Sequence, residues 1–253
     1  MSEQSLEIPI AGSDLRVHGV LRGDYSQPLA VLAPGLGGWM HDLLPFNASR
    51  YFEQKGISSL RVSFYGHDEN QRDIKDCDVN TFAEDIDAVV EYAKANGSPW
   101  VCVIGHSYSG MAVIFSEKQQ FDAAVLWDPS HTDGYDDPQA IKNLKNDFIF
   151  IKELDSYVSG IGPGYVLSRK VFENYAPGST AKAKKFSVGT LVVNASYSKE
   201  MQKYGRDYVD SIAAPTEHII IRNSTHPFVE DGSMEILFEK TASWIKKQLQ
   251  DKQ

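Results

Sequence analysis

A serine between small residues, Ser107, is the first candidate for chemistry in this sequence. It lies in VIGHSYSGM, where an apolar run gives way to Gly105-His-Ser-Tyr-Ser109. A serine hydroxyl becomes a useful nucleophile when a histidine accepts its proton and a carboxylate orients that histidine. A tight turn from strand to helix exposes such a serine, and it needs small residues two positions before and after it. Gly105 and Ser109 meet that need, although a structural turn serine gives the same short pattern.

The base and the oxyanion donors are predicted from residues near the ends of other strand-like runs. His226, in STHPF, comes after the last such run, whereas His106 beside Ser107 is expected in packing. A helix that begins at Ser107 directs free N–H groups at developing negative charge, so the backbone amide of Tyr108 is one candidate oxyanion donor. The second is expected at the amide of Leu36, in the turn Pro34-Gly-Leu36.

Two carboxylates compete for the role of the acid. Asp128, in Trp127-Asp-Pro-Ser130, directly ends a strand-like run and keeps the order serine, aspartate, histidine along the chain. An aspartate before proline is also a common turn former. Glu200 follows the strand-like run 190–193 and is the alternative. The residues predict Asp128 first and leave Glu200 open.

Strand-like and helix-like segments alternate along most of the chain. This alternation predicts an α/β protein with a mostly parallel central sheet and helices on both faces, preceded by an antiparallel hairpin over 5–10 and 14–21. Ligands bind such sheets at the carboxyl ends of the strands, where the candidate residues should meet. The remaining strands are predicted at 29–33, 58–64, 100–104, 121–127, 190–193 and 217–221, and the helices at 42–55, 81–94, 107–116, 199–212 and 235–249.

The alternation breaks between residues 131 and 185. This stretch holds Gly- and Pro-rich turns between short helix-like pieces such as 139–147, with no strand signal over more than 50 residues. A segment of that length is too long for an ordinary loop. The sequence therefore predicts an α/β core formed by 1–130 and 186–253, with 131–185 inserted as a cap or lid.

Composition limits the partners. The 253 residues carry a formal net charge of −9, which disfavours nucleic acid and anionic lipid as partners. No apolar run approaches the roughly 20 residues of a membrane-spanning helix, and the N-terminus lacks the pattern of a signal peptide. Only Cys77 and Cys102 are present, which favours a cytoplasmic protein without a disulfide framework.

The motifs LAPGLGG, SLRVSFYGHDEN, VIGHSYSGM and STHPF, together with the N-terminal hairpin, resemble the α/β-hydrolase family over nearly the whole chain. The sequence is most similar to small capped serine esterases of the cinnamoyl/feruloyl esterase and monoacylglycerol lipase kind. The resemblance implies the α/β-hydrolase fold, with Ser107 as nucleophile, His226 as base, and the amides of Leu36 and Tyr108 as oxyanion donors.

Three positions depart from the family pattern. The oxyanion turn begins Pro34-Gly35 where the family usually has His-Gly, and the elbow ends Ser109-Gly110 in place of Gly-Gly. The usual position of the family's acid falls on Ser198, which is no carboxylate. Some members, the pancreatic lipases among them, carry the acid one strand earlier in a Leu-Asp-Pro-Ala context, which is similar to Trp127-Asp-Pro-Ser130. This similarity favours Asp128.

These observations predict a serine hydrolase that cleaves carboxylic esters of small or medium acyl groups through a Ser-His-Asp triad. The substrate is a small-molecule ester, and neither a metal nor an organic cofactor is required. Trp39 and Met40, just past the oxyanion turn, are candidates for lining an acyl site. The alternative is an inactive, receptor-like relative that binds a small ligand under the cap. Acyl transfer, carbon–carbon bond hydrolysis and the oligomeric state stay open.

Overall fold

The computed structural model describes residues 3–132, 148–159, 166–172 and 178–251. Eight strands form one sheet in the order β1-β2-β4-β3-β5-β6-β10-β11, and three more form a small separate sheet. The strands are β1 (Glu3–Pro9), β2 (Arg16–Arg22), β3 (Leu29–Ala33), β4 (Ser58–Ser63), β5 (Val101–His106), β6 (Ala123–Trp127), β7 (Phe148–Ile151), β8 (Ser156–Ser159), β9 (Val166–Ser168), β10 (Thr190–Ala195) and β11 (Thr216–Ile221).

The large sheet is mixed at one edge and parallel everywhere else. β1 pairs antiparallel with β2, with Ile8 opposite Val17, and β2 pairs antiparallel with β4. Every further pair, from β4–β3 through β10–β11, is parallel. The predicted hairpin and the predicted mostly parallel sheet are both confirmed.

Helices cover both faces of this sheet because the central strands are apolar on both sides. In β3, Leu29 and Val31 belong to the core under the helices at 79–95, 108–115 and 199–211, while Ala30 and Leu32 belong to the core under those at 43–54 and 233–250. Such two-sided burial is typical of parallel strands. The described helices are α1 (Leu43–Gln54), α2 (Val79–Ala95), α3 (Tyr108–Phe115), α4 (Ser179–Ala183), α5 (Lys199–Ser211) and α6 (Ser233–Gln250).

The described part of the 131–185 segment contains strands, which the sequence did not predict. β7, β8 and β9 form an antiparallel three-stranded sheet. They are only four, four and three residues long, too short for alternation of apolar and polar residues to be recognised. The helix-like piece 139–147 lies outside the described residues, and the assignment of 131–185 as a cap stays a prediction.

Both cysteines, Cys77 and Cys102, are buried and unbonded to each other. Among the helices of the described residues, none has both the length and the apolar character that crossing a membrane would require.

Candidate active site

Ser107 occupies a strained turn between β5 and α3. Its backbone lies at φ +54° and ψ −117°, which is rare for a residue with a side chain. Two hydrogen bonds hold it there: its N–H donates to the carbonyl oxygen of Trp127 at 2.9 Å, and its own carbonyl accepts from the N–H of Ser130 at 3.0 Å. Neighbouring backbone therefore fixes the strained conformation and, with it, the direction of the Ser107 side chain.

The small residues around Ser107 are required by close packing. A Cβ on Gly105 would lie 2.5 Å from the carbonyl oxygen of Ser109. A Cβ on Gly110 would lie 2.9 Å from the Cβ of Pro129. Ser109 itself is fully buried, and its hydroxyl donates to the carbonyl oxygen of Pro34. The serine that replaces a family glycine therefore ties the elbow to the predicted oxyanion turn.

His226 and Asp128 are in direct contact. His226 Nδ1 lies 2.7 Å from Asp128 Oδ2, and Asp128 is fully buried just after β6. The other carboxylate oxygen, Oδ1, accepts from Asn194 Nδ2 at 2.8 Å and from the N–H of Ala195 at 3.1 Å. Because a carboxylate only accepts, His226 carries its hydrogen on Nδ1 and leaves Nε2 free to take a proton.

Glu200, the alternative acid, lies elsewhere. It is exposed in the first turn of α5, and its Oε1 accepts a hydrogen bond of 2.7 Å from the hydroxyl of Tyr204. Ser198, where the family's acid usually falls, is the residue that precedes α5. The structure thus brings Asp128, and not Glu200, to His226.

His106 supports the loop that carries His226. Its Nε2 lies 3.1 Å from the carbonyl oxygen of His226, so this nitrogen carries the hydrogen and donates it. The two imidazole rings pack at 4.7 Å between centroids. Burial, together with the neighbouring His226, lowers the pKa of His106 to about 4, so this side chain is neutral near pH 7. The expected packing role is confirmed, and its target is the backbone of His226.

The predicted oxyanion turn lies against the elbow. A Cβ on Gly35 would lie 3.2 Å from the Cβ of Ser107, so glycine is what allows this approach. The turn is closed by a hydrogen bond of 2.9 Å from the N–H of Gly38 to the carbonyl of Gly35, with Leu36 inside it. Tyr108, the second predicted donor, is the first residue of α3.

A cavity of about 340 Å³ brings these groups together, since Ser107, His226 and Leu36 all line it. Most of its other lining is apolar, including Leu44 and Met234. This apolar lining was not predicted from the sequence, because its residues come from distant parts of the chain. Other contributors are Leu32, Leu43, Ile104, Trp127 and Val229.

Trp39 and Met40 do not line that cavity. Trp39 is half-exposed and borders a neighbouring cavity of about 560 Å³, together with Tyr65 and Val166. Met40 lines neither cavity, and its N–H donates to the hydroxyl of Ser63 at 3.0 Å. Neither residue therefore borders the cavity of Ser107, as the expectation would require if that cavity takes the acyl group. No group of three His, Cys, Asp or Glu side chains that could hold a metal occurs among the described residues.

The sequence model of the alpha/beta hydrolase family matches residues 30–231. The chain belongs to this family. The match runs from β3 to the segment just after His226, and it includes both ends of the segment 131–185. The strand order of the large sheet and the strand–turn–helix around Ser107 are the features of this α/β-hydrolase that position the site.

Solved structures share this fold at low sequence identity. Est1E from Butyrivibrio proteoclasticus with ferulic acid bound superposes with a TM-score of 0.76 at 16% identity, covering 96% of this chain and 99% of that one. Dienelactone hydrolase from Anabaena variabilis gives a TM-score of 0.70 at 12% identity, covering 97% of each chain. Mouse alpha/beta hydrolase domain-containing protein 10 gives 0.71 at 11% identity, covering 98% of this chain and 99% of that one. The search of curated proteins gave no match.

Proposed function

We propose that this α/β-hydrolase is a serine esterase that cleaves carboxylic esters of small or medium acyl groups through an acyl-enzyme. The observation that carries the proposal is the 2.7 Å contact between His226 Nδ1 and Asp128 Oδ2, with His226 and Ser107 lining the same cavity. A buried carboxylate on one imidazole nitrogen leaves the other available as a base, and His226 lines the same cavity as the serine. Family membership and the esterase-like solved structures agree with a hydrolase.

In the proposed reaction, Ser107 Oγ attacks the ester carbonyl while His226 Nε2 accepts the hydroxyl proton. The oxyanion that forms accepts hydrogen bonds from the amides of Leu36 and Tyr108. Its collapse breaks the bond to the alcohol, which leaves with the proton from His226. Water then repeats the sequence on the acyl-enzyme: His226 takes its proton, the hydroxide attacks, and Ser107 is released with its proton restored.

The size and lining of the cavity support the substrate class. A volume of about 340 Å³ is at the lower end of ordinary small-molecule sites. Apolar side chains such as Leu44 and Met234 favour a hydrocarbon acyl group over a charged one. The insertion 131–185 is proposed to act as a cap on the alcohol side, because Val166 of β9 lines the neighbouring cavity beyond the oxyanion turn.

The proposal is tested with p-nitrophenyl and aryl esters of graded acyl length, assayed with the wild type and with Ser107→Ala. We expect the variant to lose at least about a thousandfold in kcat and to lose labelling by a fluorophosphonate probe. Ser187→Ala, which changes an exposed serine bonded to Gln119, is the matched control and should behave as the wild type.

Wild-type protein that neither hydrolyses any ester above the Ser107→Ala background nor reacts with the probe would contradict the proposal. Saturable binding of a small ligand, unchanged by Ser107→Ala, would then favour the receptor-like alternative. Product analysis with competing alcohol acceptors separates ester hydrolysis from acyl transfer, since a transferase would form the new ester in preference to the free acid.

A further inference from the structure

One tyrosine hydroxyl holds the last residue of the predicted oxyanion turn. Tyr65 lies two residues beyond the end of β4, and its hydroxyl donates to the carbonyl oxygen of Gly38 at 2.8 Å. The N–H of Gly38 closes the turn by donating to the carbonyl of Gly35 at 2.9 Å. Gly38 is therefore bonded through both its N–H and its carbonyl, and the amide of Leu36 lies within the closed turn.

Other side chains hold the two ends of this turn. The Ser109 hydroxyl donates to Pro34 at its start. At its far end, Asp42 Oδ2 accepts from the N–H of Trp39 at 2.7 Å. Between these ends, three of the four residues 35–38 are glycines, whose backbone loses more freedom on ordering than that of other residues. Tyr65 therefore acts at the part of the turn that is intrinsically least restricted.

The same tyrosine is also linked to the second oxyanion donor. Its ring stacks on Phe82 at 6.3 Å between centroids with planes 23° apart. Phe82 in turn meets the ring of Tyr108 edge-on at 5.4 Å. Phe82 is fully buried in α2, so this row of three rings is fixed by the core of the molecule. The turn carrying Leu36 and the helix start carrying Tyr108 thus rest on one packed unit.

We propose that Tyr65 is a positioning residue for the oxyanion hole: its hydroxyl sets the turn so that the Leu36 amide faces the same point as the Tyr108 amide. The inference rests on the proposed function and goes beyond it, since the Tyr65 hydroxyl bonds the backbone of the turn and Tyr65 does not line the cavity that contains Ser107 and His226. Preorganised donors stabilise charge that develops only in the transition state. Loss of the hydroxyl should therefore reduce kcat and leave ground-state binding of the ester nearly unchanged.

The test is Tyr65→Phe, which keeps the ring stack and removes only the hydroxyl. We expect kcat to fall about three- to tenfold, as for loss of one neutral hydrogen bond, with KM within about twofold of the wild type. The dissociation constant of an alkylboronic acid, which forms a tetrahedral adduct on the nucleophilic serine, should rise by the same factor as kcat falls. Binding of the corresponding amide, a ground-state analogue, should stay the same. Tyr204→Phe, which removes a surface hydroxyl bonded to Glu200, is the matched control and should leave all these values unchanged.

Three outcomes would overturn the inference. The first is a change in kcat smaller than about twofold. The second is an equal weakening of boronate and amide binding, which would mean that the hydroxyl shapes the whole cavity. The third is a fall in the melting temperature that accounts for the lost activity through unfolded protein at the assay temperature. Failure of the proposed function is distinguishable, since wild type and Ser107→Ala would then both turn over at background rate, and both proposals would fall.

Discussion

The ends of β6 and β10 lie side by side at the same edge of the sheet, yet one is followed by a buried carboxylate and the other supplies its hydrogen-bond donors. β6 is followed by Asp128, which carries the carboxylate that bonds His226. β10 ends with Asn194 and Ala195, which donate two hydrogen bonds to that carboxylate. The N–H of Asp128 also donates to the carbonyl of Val193 in β10 at 2.7 Å. One strand is thus followed by the proposed acid, and its neighbour supplies the groups that hydrogen-bond the carboxylate.

This difference is what would allow the proposed acid, Asp128, to lie one strand earlier than in the usual family pattern. Parallel strands end at a common edge, so carboxylates after either strand can reach the same imidazole. A buried carboxylate needs hydrogen-bond donors, and here β10 provides them through a side-chain amide and a backbone N–H. The position that would hold the usual acid, Ser198, instead precedes α5.

The largest effect should come from the proposed acid. Asp128→Asn should lower kcat by about three to four orders of magnitude, because an amide at this position can donate to His226 and favour the wrong tautomer. Glu200→Gln is the matched control, a carboxylate-to-amide change in the first turn of the helix that follows the other strand, and should be nearly silent. Steady-state kinetics on one ester measure both. The reverse result would move the acid to Glu200 and break the comparison.

The fold was predictable because the apolar runs of the central strands are continuous and lie between clear turns. The candidate site was predictable to the extent that its residues come directly after those strands, as Ser107 and Asp128 do. Contacts that depend on register were not predictable. Nothing in the sequence indicates that Asn194, inside an apolar run, points at Asp128, since only the pairing of β10 with β6 brings them together.

What the sequence did not reveal has a related cause. Trp39 and Met40 come after the oxyanion turn in sequence, but their N–H groups bond Asp42 and Ser63, and neither side chain lines the cavity of Ser107. β7 to β9 form their sheet from strands too short to stand out in a single sequence. Position along the chain was enough to predict which strand ends carry the candidate residues. The direction of side chains in loops depends on the three-dimensional structure.

An effect of intermediate size on kcat is expected from Asn194, which donates a hydrogen bond to the Asp128 carboxylate. Asn194→Ala removes one hydrogen bond to the Asp128 carboxylate and should lower kcat roughly tenfold to thirtyfold, as for loss of a bond to a charged group. Asn194 Nδ2 also bonds the carbonyl of Met201 at 2.9 Å, so the unfolding free energy should fall as well. A double-mutant cycle separates the two contributions: the effect of Asn194→Ala on kcat should vanish in the Asp128→Asn background.

The same factor in both backgrounds would mean that Asn194 acts through packing of β10 and α5. A Cβ on Gly205 of α5 would lie 1.9 Å from Asn194 Oδ1, so these two elements do meet closely at this residue. In that case the end of β10 would contribute a structural contact, and its hydrogen bond to the Asp128 carboxylate would not affect kcat.

The smallest effect, on stability, is expected from the histidines of the two strands that flank β6 and β10. β5 carries His106, which bonds the carbonyl of His226, and β11 carries His218, whose Nε2 lies 2.9 Å from Asn194 Oδ1. Burial lowers the pKa of both imidazoles, to about 4 for His106. Below its ordinary pKa of 6.5, His106 binds a proton more readily in the unfolded chain than in the folded protein. The stability that its neutral form contributes is therefore complete above that value and is lost as the pH falls towards about 4.

From these pKa values, His106 should make the wild type lose about 1 kcal/mol of unfolding free energy between pH 7 and about pH 5.5. Urea denaturation of wild type and His106→Gln at both pH values measures this share, and the variant should lose less on acidification. His218→Gln tests in the same way the imidazole that bonds Asn194. This variant should also lose less unfolding free energy than the wild type on acidification, but by a smaller difference than His106→Gln, because the His218 imidazole is more exposed to solvent. Equal pH slopes for wild type and His106→Gln would mean that the imidazole next to His226 is solvated well enough to protonate in the folded state.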